Sequence, residues 1–292
     1  MFELIKAGEQ TSYFALPSAI GVYTPDGKNV YLIDSGPHKD NAKKVLRVLR
    51  ENGMEIKGIL VTHAHADHIG GCAYLREMTG CTVFASDAEA DYIRHPYLEA
   101  ATLYGACPHR DLQHKFLLAQ SCETVLTTDA RFPQETEVIA LSGHSYDMVG
   151  YRTPDDVVFL ADSLCSEATL QKYGITFLFD VGKTLQTLEM LQHMQAKLFI
   201  PSHAPATDDI TDLVALNISK INETAECLLD FCKDGIAFDA LLQRVFERYG
   251  LNMTHEQHVL IGSTVRSYLS WLYNRNLLQT DYVQNVQKWI KV

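Results

Sequence analysis

Gly58-Ile59-Leu60-Val61-Thr62-His63-Ala64-His65-Ala66-Asp67-His68-Ile69-Gly70-Gly71 is the stretch on which the reading of this chain turns. The apolar run Ile59 to Val61 reads as a buried strand, because β-branched side chains suit a pleated surface covered on both faces. Its end carries His63, His65, Asp67 and His68 within six residues. A regular helix or strand would spread such side chains out, whereas a turn just past a strand can aim them at one centre. Imidazoles and a carboxylate are donors that zinc takes, and a catalytic zinc keeps a further position open for water. The competing reading is a polar loop that merely happens to be rich in histidine.

Working outward, the N-terminal side predicts a hairpin: Ser12 to Tyr23 as one strand, a turn at Pro25-Asp26-Gly27, and a return strand over Val30 to Ile33. Asp34-Ser35-Gly36 closes it at a strand end, and a helix follows from about Asp40, with Ala42, Val45, Leu46 and Leu49 on one face and Gly53 as its stop. On the other side, Ile69 to Met78 predicts a helix in which Gly70 and Gly71 allow close backbone approach. Thr82 to Ala85 reads as a strand and Ser86-Asp87-Ala88-Glu89 as a capping box opening the next helix. Residues 95 to 122 contain Pro96, Gly105 and Pro108 and read as an insertion with helical pieces, one near His114 to Gln120, placed to overhang the site as a lid.

Strands return from Thr136: Val138 to Leu141, Met148 to Arg152, and Val157 to Ala161. His144 follows the first and Asp162 the third. A helix is expected over 183–195, with Leu185, Leu188, Leu191 and Met194 on one side. The strand Leu198 to Ile200 then delivers Pro201-Ser202-His203. After about Thr207 the composition changes to three helical stretches, near 209–234, 237–249 and 254–274, and a small terminal hairpin over Leu277-Leu278 and Val286 to Ile290. The chain therefore divides into a catalytic unit over 1–207 and a helical appendage over 208–292, either winged-helix-like or a helical cap packed on the main domain.

At 292 residues, 47% hydrophobic and 21% charged, the composition is that of an ordinary globular chain with ample core. A formal charge of −11 argues against general attraction to phosphate backbones. The seven cysteines are odd in number and scattered without a Cys-x-x-Cys, as expected of free thiols in a reducing compartment. Cys165, three residues past Asp162, invites a nucleophilic role, but a small buried filler is the plainer reading. The first residues lack a basic segment followed by an apolar one, so no signal peptide is expected. No apolar run reaches the roughly 18–20 residues a membrane span needs. The expected location is the cytoplasm.

His63, His65, Asp67, His68, His144, Asp162 and His203 come from four segments, each after an apolar strand. The order and the spacings of 76, 18 and 41 residues from His68 to His144, Asp162 and His203 resemble the metallo-β-lactamase superfamily, nearest to its glyoxalase II-like and related small-hydrolase branch. The resemblance covers about residues 1–207. It implies an α+β, four-layer αβ/βα sandwich with the metal site at one sheet edge. It also implies His63, His65 and His144 on one metal, Asp67, His68 and His203 on a second, and Asp162 bridging them. Asp34 would support the ligand loop without binding metal. Asp67 could orient water but would mainly hold metal. Antibiotic-hydrolysing relatives often carry cysteine in place of this bridging carboxylate, and the diiron flavoprotein branch has Glu where this chain has His65.

The implied cofactors are two divalent metal ions, zinc foremost, with iron or manganese fitting the same N/O donors. Such a pair generates hydroxide at neutral pH and polarises a carbonyl or phosphoryl oxygen. The function that follows is hydrolysis of a small ester, thioester or lactone. Its alternatives are a phosphodiesterase or ribonuclease, an iron-dependent persulfide dioxygenase, and a binding protein that has kept the fold. Residues 208–292 hold 11 acidic and 8 basic side chains. They lack the Arg/Lys-rich glutathione-binding pattern, which speaks against glutathione and against nucleic acid. Segment 164–182, with Lys172, Tyr173, Phe177 and Phe179, supplies the candidates for the substrate pocket, together with the 95–122 insertion. The partner expected is a small-molecule substrate, and a homo-oligomer is compatible with the composition.

Overall fold

The computed structural model describes residues 2–292. A meander of β1 (Leu4–Lys6), β2 (Thr11–Phe14), β3 (Ile20–Tyr23) and β4 (Asn29–Ile33) leads into α1 (Lys39–Glu51) and β5 (Glu55–Leu60). The ligand stretch follows, then α2 (Ala66–Ile69), α3 (Cys72–Thr79), β6 (Thr82–Ala85), α4 (Asp87–Arg94), α5 (Tyr97–Tyr104) and the short β7 (Val125–Leu126). The second half runs through β8 (Glu137–Ala140), β9 (Val149–Arg152), β10 (Val157–Cys165), α6 (Glu167–Tyr173), α7 (Val181–Leu191) and β11 (Leu198–His203). It closes with α8 (Thr211–Phe231), α9 (Phe238–Tyr249), α10 (His255–Asn274), β12 (Leu278–Val283) and β13 (Val286–Lys291).

β1 to β7 form one sheet in chain order, antiparallel as far as β4 and parallel from β4 to β7. The second sheet has the order β11-β10-β9-β8, with β10 and β11 parallel. Three apolar layers show how the sheets stack. Val45, Leu49 and Leu75 of the first helices pack with Leu32 and Ile59 of the first sheet. Tyr23, Ile33, Leu60 and Phe84 meet Tyr151, Val157, Phe159 and Ile200 between the sheets. Leu160, Val158 and Phe199 then join Leu188, Val214, Leu228, Val265 and Leu269 of the later helices. This is helix, sheet, sheet, helix, as expected, and the C-terminal helices share the core of the second sheet. Each fully buried aliphatic or aromatic side chain contributes about 1.5–3 kcal/mol relative to exposure.

Local expectations needed correction. The expected strand from Ser12 to Tyr23 is interrupted between Phe14 and Ile20, where Pro17 lacks the N–H that a ladder needs. The single helix expected over Ile69 to Met78 is two, α2 and α3, turning at Gly70 and Gly71. A Cβ at Gly70 would lie 2.2 Å from the Pro37 carbonyl oxygen, so the turn packs directly on the loop after β4. No helix forms over His114 to Gln120; the insertion's helical pieces are α5 and a short 3-10 turn at Arg110–Leu112. The strand expected to stop at Ala161 continues to Cys165, with register shifts on either side of Ala161. Ser86 and Glu89 stand at the start of α4 but form no capping box, since the Ser86 side chain bonds the Asp147 carbonyl. The terminal hairpin is present as β12 and β13.

Candidate metal centre

Five imidazoles and two carboxylates from four segments converge beyond the ends of β5, β8 and β11 and at the bulge in β10. Three ring nitrogens meet first: His65 Nδ1 lies 3.0 Å from His63 Nε2 and 2.9 Å from His144 Nε2. Their outer faces explain which nitrogens are bare. His144 Nδ1 lies 3.1 Å from the Phe177 carbonyl, His203 Nδ1 2.7 Å from the Pro17 carbonyl, and His68 Nδ1 2.8 Å from Asp34 Oδ2. Only an N–H satisfies those acceptors, so Nδ1 carries a proton in all three rings and Nε2 faces inward, with a lone pair to offer a cation whenever the ring is neutral. His63 Nδ1 meets Thr62 Oγ1 at 3.0 Å, whose own hydroxyl donates to Asp34 Oδ2 at 2.8 Å.

Asp162 stands between two groups of imidazoles. Its Oδ2 is 2.9 Å from His203 Nε2 and 3.4 Å from His144 Nε2, and its Oδ1 is 3.1 Å from His68 Nε2. Asp67 Oδ2 lies 3.4 Å from His68 Nε2 and 3.5 Å from His203 Nε2. Donor atoms of His63, His65 and His144 form one compact group, those of Asp67, His68 and His203 another, and His63, His68 and Asp162 a third between them. Each group could hold a cation. His68 Nε2 and Asp162 Oδ1 are buried with no hydrogen-bond partner. They lie 3.1 Å apart, close enough for an ion pair but outside hydrogen-bond geometry, and a buried pair met so imperfectly is better satisfied by a cation that binds both, so this donor set fits a metal.

Electrostatics divide the cluster in the same way. Burial pushes His65 and His144 down to about 4, and pushes His63 well below its ordinary value. The Asp162 carboxylate raises His203 to about 9. His68 is raised despite its burial, held up by Asp162, Asp67 and Asp34. Burial alone would raise the carboxyls, yet the neighbouring imidazoles hold Asp162 and Asp67 well below the usual carboxylate range.

The backbone delivering these groups is itself constrained. Asp34 has φ 62° and Ala161 φ 49°, left-handed values that non-glycine residues adopt at a cost when tertiary structure imposes them. The Ala161 kink re-aims Asp162 out of the ladder. Gly143, at φ 133°, leaves no room for a side chain, since a Cβ would sit 2.4 Å from the Thr184 backbone nitrogen. Asp34 receives both the Thr62 N–H at 2.8 Å and the His68 ring, so it orients two ligands. Asp34→Asn keeps a residue that tolerates positive φ but loses the charge. Its metal affinity, measured by competition with a chromogenic chelator, is expected to fall about 10–100-fold.

Glu89 was legible only as a helix cap, and it does something else. It is 3% exposed and accepts from the Ala64 N–H at 2.8 Å, the Ser145 hydroxyl at 2.6 Å and the Asp147 N–H at 3.0 Å. One carboxylate thus ties the His63–His65 loop to the His144 loop. Removing it in Glu89→Ala orphans three donors, those of Ala64 and Ser145 buried and that of Asp147 part-buried, at about 1–3 kcal/mol each if none finds water. Chemical denaturation of the metal-free variant should therefore show a loss of roughly 2–4 kcal/mol after partial relaxation. Ser18, also unforeseen, donates to Asp67 Oδ2 at 2.6 Å. The signal for its loop was Pro17, a poor strand residue.

A cavity of about 330 Å³ opens over the candidate ligands His65, Asp67, His144, Asp162 and His203 and extends to α8 and α10. Of the pocket candidates, Tyr173 and Phe177 line it, while Lys172 does not. The Lys172 ammonium instead lies 4.6 Å from the centre of the Tyr173 ring. Phe179 and the insertion, through Glu99, Thr102 and Leu103, border a smaller neighbouring cavity of about 40 Å³ beside His65. The insertion therefore does not roof the main cavity. Cys165 lines the main cavity with its thiol pushed up to about 12 by burial, which removes the thiolate that nucleophilic attack needs. No disulfide joins the seven cysteines.

The family model of the metallo-beta-lactamase superfamily matches residues 14–203. The chain belongs to the metallo-beta-lactamase superfamily. This superfamily member is 28% identical over 166 residues to Glyoxylase B2 of Dictyostelium discoideum, covering 56% of this chain and 51% of that protein. It is 27% identical over 210 residues to a hydroxyacylglutathione hydrolase of Shewanella loihica, covering 69% of this chain and 66% of that one. It thus spans about half the length of the first relative and just under two thirds of the second. In fold it is similar to a metallo-beta-lactamase family protein of Thermus thermophilus, with a TM-score of 0.71 at 15% identity over 97% of this chain and 99% of that one. The αβ/βα architecture expected from the motif order is therefore borne out. Among the described residues no helix is long and apolar enough to cross a membrane.

Proposed function

We propose that this superfamily member is a metal-dependent hydrolase of small thioesters or esters. In this reading His63, His65 and His144 would hold one divalent cation, Asp67, His68 and His203 would hold a second, and Asp162 would serve both. The observation that carries it is the pair of buried atoms His68 Nε2 and Asp162 Oδ1, 3.1 Å apart without a hydrogen bond at the junction of the two groups. When bound, the cations would supply Lewis acidity and an activated water.

The chain's own residues do the rest. Proton-bearing Nδ1 atoms anchored on Phe177, Pro17 and Asp34 fix each ring, so that the donor set is organised before substrate arrives. Asp67, held by Ser18, has acceptor capacity for orienting water. The leaving thiolate of a thioester departs without a proton donor, which suits a site whose one cavity-lining thiol is inert. Residues 1–207 supply the ligands, and 208–292 supply the far wall of the cavity through α8 and α10. The likeness to a hydroxyacylglutathione hydrolase supports the thioester reading.

The test is a substrate panel on zinc-loaded protein, with thioesters followed by thiol release, lactones by acid release and phosphodiesters by phenolate release. The proposal expects turnover of thioesters or esters; cleavage of phosphodiesters alone would refute it.

A further inference from the structure

Beyond the ligands, the main cavity is lined by many residues whose names suggest polarity, but their polar atoms are committed elsewhere. The hydroxyl of Thr184 donates to the Asp180 carbonyl at 2.8 Å, that of Thr224 to Lys220 at 3.0 Å, and that of Thr264 to Leu260 at 3.0 Å. Thr169 likewise donates to the His203 carbonyl at 3.2 Å. A threonine bonded to backbone in this way offers a ligand its methyl group. The Asn217 amide donates to the Cys165 and Leu213 carbonyls at 2.9 and 2.8 Å and accepts from the Cys165 N–H at 3.1 Å. Lys220, the one lysine or arginine on the wall among the described residues, pairs with Glu223 at 3.2 Å and lies over the Tyr249 ring at 4.7 Å.

The rest of the wall is mostly aliphatic, with the Phe177 and Tyr268 rings beside it. Ile175, Leu178, Leu188, Ile221 and Ile261 line the cavity and belong to the core that joins the second sheet to the C-terminal helices. The polar groups left over, on Tyr173, Thr176 and Gln257, belong to residues that reach solvent. Two others are buried: Tyr268, which brings a phenol to the wall, and Ser163, whose hydroxyl has no partner. Ser163 directly follows Asp162, so it belongs to the reacting end of the cavity and not to the far wall.

We infer that this cavity is an acyl-chain site, and that the substrate's acyl group is an uncharged, linear hydrocarbon chain lying between β10, α8 and α10. The inference rests on the hydrolase reading and names its substrate class. At about 30 Å³ per water-sized group, the cavity of about 330 Å³, which includes the space over the candidate ligands, holds at most roughly ten such groups, enough for the reacting carbonyl and a short to medium-length chain. A short hydroxy-acyl or a charged acyl group would leave the aliphatic wall uncovered and find no unpaired cation.

The test is a series of straight-chain acyl thioesters of one neutral thiol, from acetyl to octanoyl, with lactoyl as the polar comparison, on zinc-loaded protein. Each added methylene buried is expected to raise kcat/KM about fourfold until the cavity is filled. Leu260→Trp, which narrows the cavity, should shorten the preferred chain. A flat series, or a preference for lactoyl over propionyl, overturns the inference while leaving hydrolysis intact. If no thioester is cleaved, binding of the matching non-hydrolysable acyl amides to the same zinc-loaded protein decides the matter. Tightening with chain length supports the site while refuting the thioester part of the hydrolase reading, whereas absence of binding overturns the site as well.

Discussion

Replacing Asp162 with alanine is expected to lower turnover of the best thioester by about a thousandfold. Among the described residues, Asp162 is the only side chain whose oxygens lie near the bare nitrogens of His68, His144 and His203 together. Its removal leaves neutral imidazoles on one side and, on the other, imidazoles that have lost the carboxylate holding their charge. The loss of metal-based stabilisation of developing charge is worth several kcal/mol, and roughly 4 kcal/mol is about three orders of magnitude in rate. Asp162→Asn separates charge from shape, because it keeps the volume and one acceptor. It should retain the fold by circular dichroism and still lose most activity. Turnover within tenfold of the parent in either variant would mean that Asp162 is not shared between cations.

Metal removal should have an effect of similar size and also be reversible. Dialysis against a strong chelator is expected to bring activity to background, with recovery on adding zinc. Because a cation binds the folded site and not the dispersed ligands, stripping should also destabilise the protein. The linkage amounts to about 4 kcal/mol when free metal stands at a thousand times its dissociation constant, and the melting temperature by calorimetry should fall accordingly. A stripped protein that keeps full activity would show that the imidazole cluster is structural and that the chemistry lies elsewhere.

The features legible in sequence are those carried by periodicity and order. Strands ending in His63, His144 and His203 stand out because apolar runs stop abruptly at polar residues. The helix–sheet–sheet–helix stacking followed from the order in which those motifs resemble a known family. What stayed hidden depends on contacts between segments far apart in the chain. Glu89 lies 25 residues from Ala64 and 56 from Ser145, and its Ser-x-x-Glu context points to a local cap that the tertiary structure overrides. Asp162 was expected just past a strand end, whereas a bulge at Ala161 turns it out of a longer strand. The Pro17 carbonyl that fixes His203 is 186 residues away from it, and no local pattern encodes such a pairing. The threonines on the cavity wall read as polar by composition, and only their hydrogen bonds to backbone carbonyls show that the surface they offer is methyl.

The most direct measurement of the central claim is an anomalous-difference map from crystals of the zinc-loaded protein, collected on both sides of the zinc edge. Two peaks are predicted, about 3.5–4 Å apart as in other two-metal sites, one among His63, His65 and His144, the other among Asp67, His68 and His203, with Asp162 between them. A single peak, or peaks away from Asp162, would contradict the shared two-cation site.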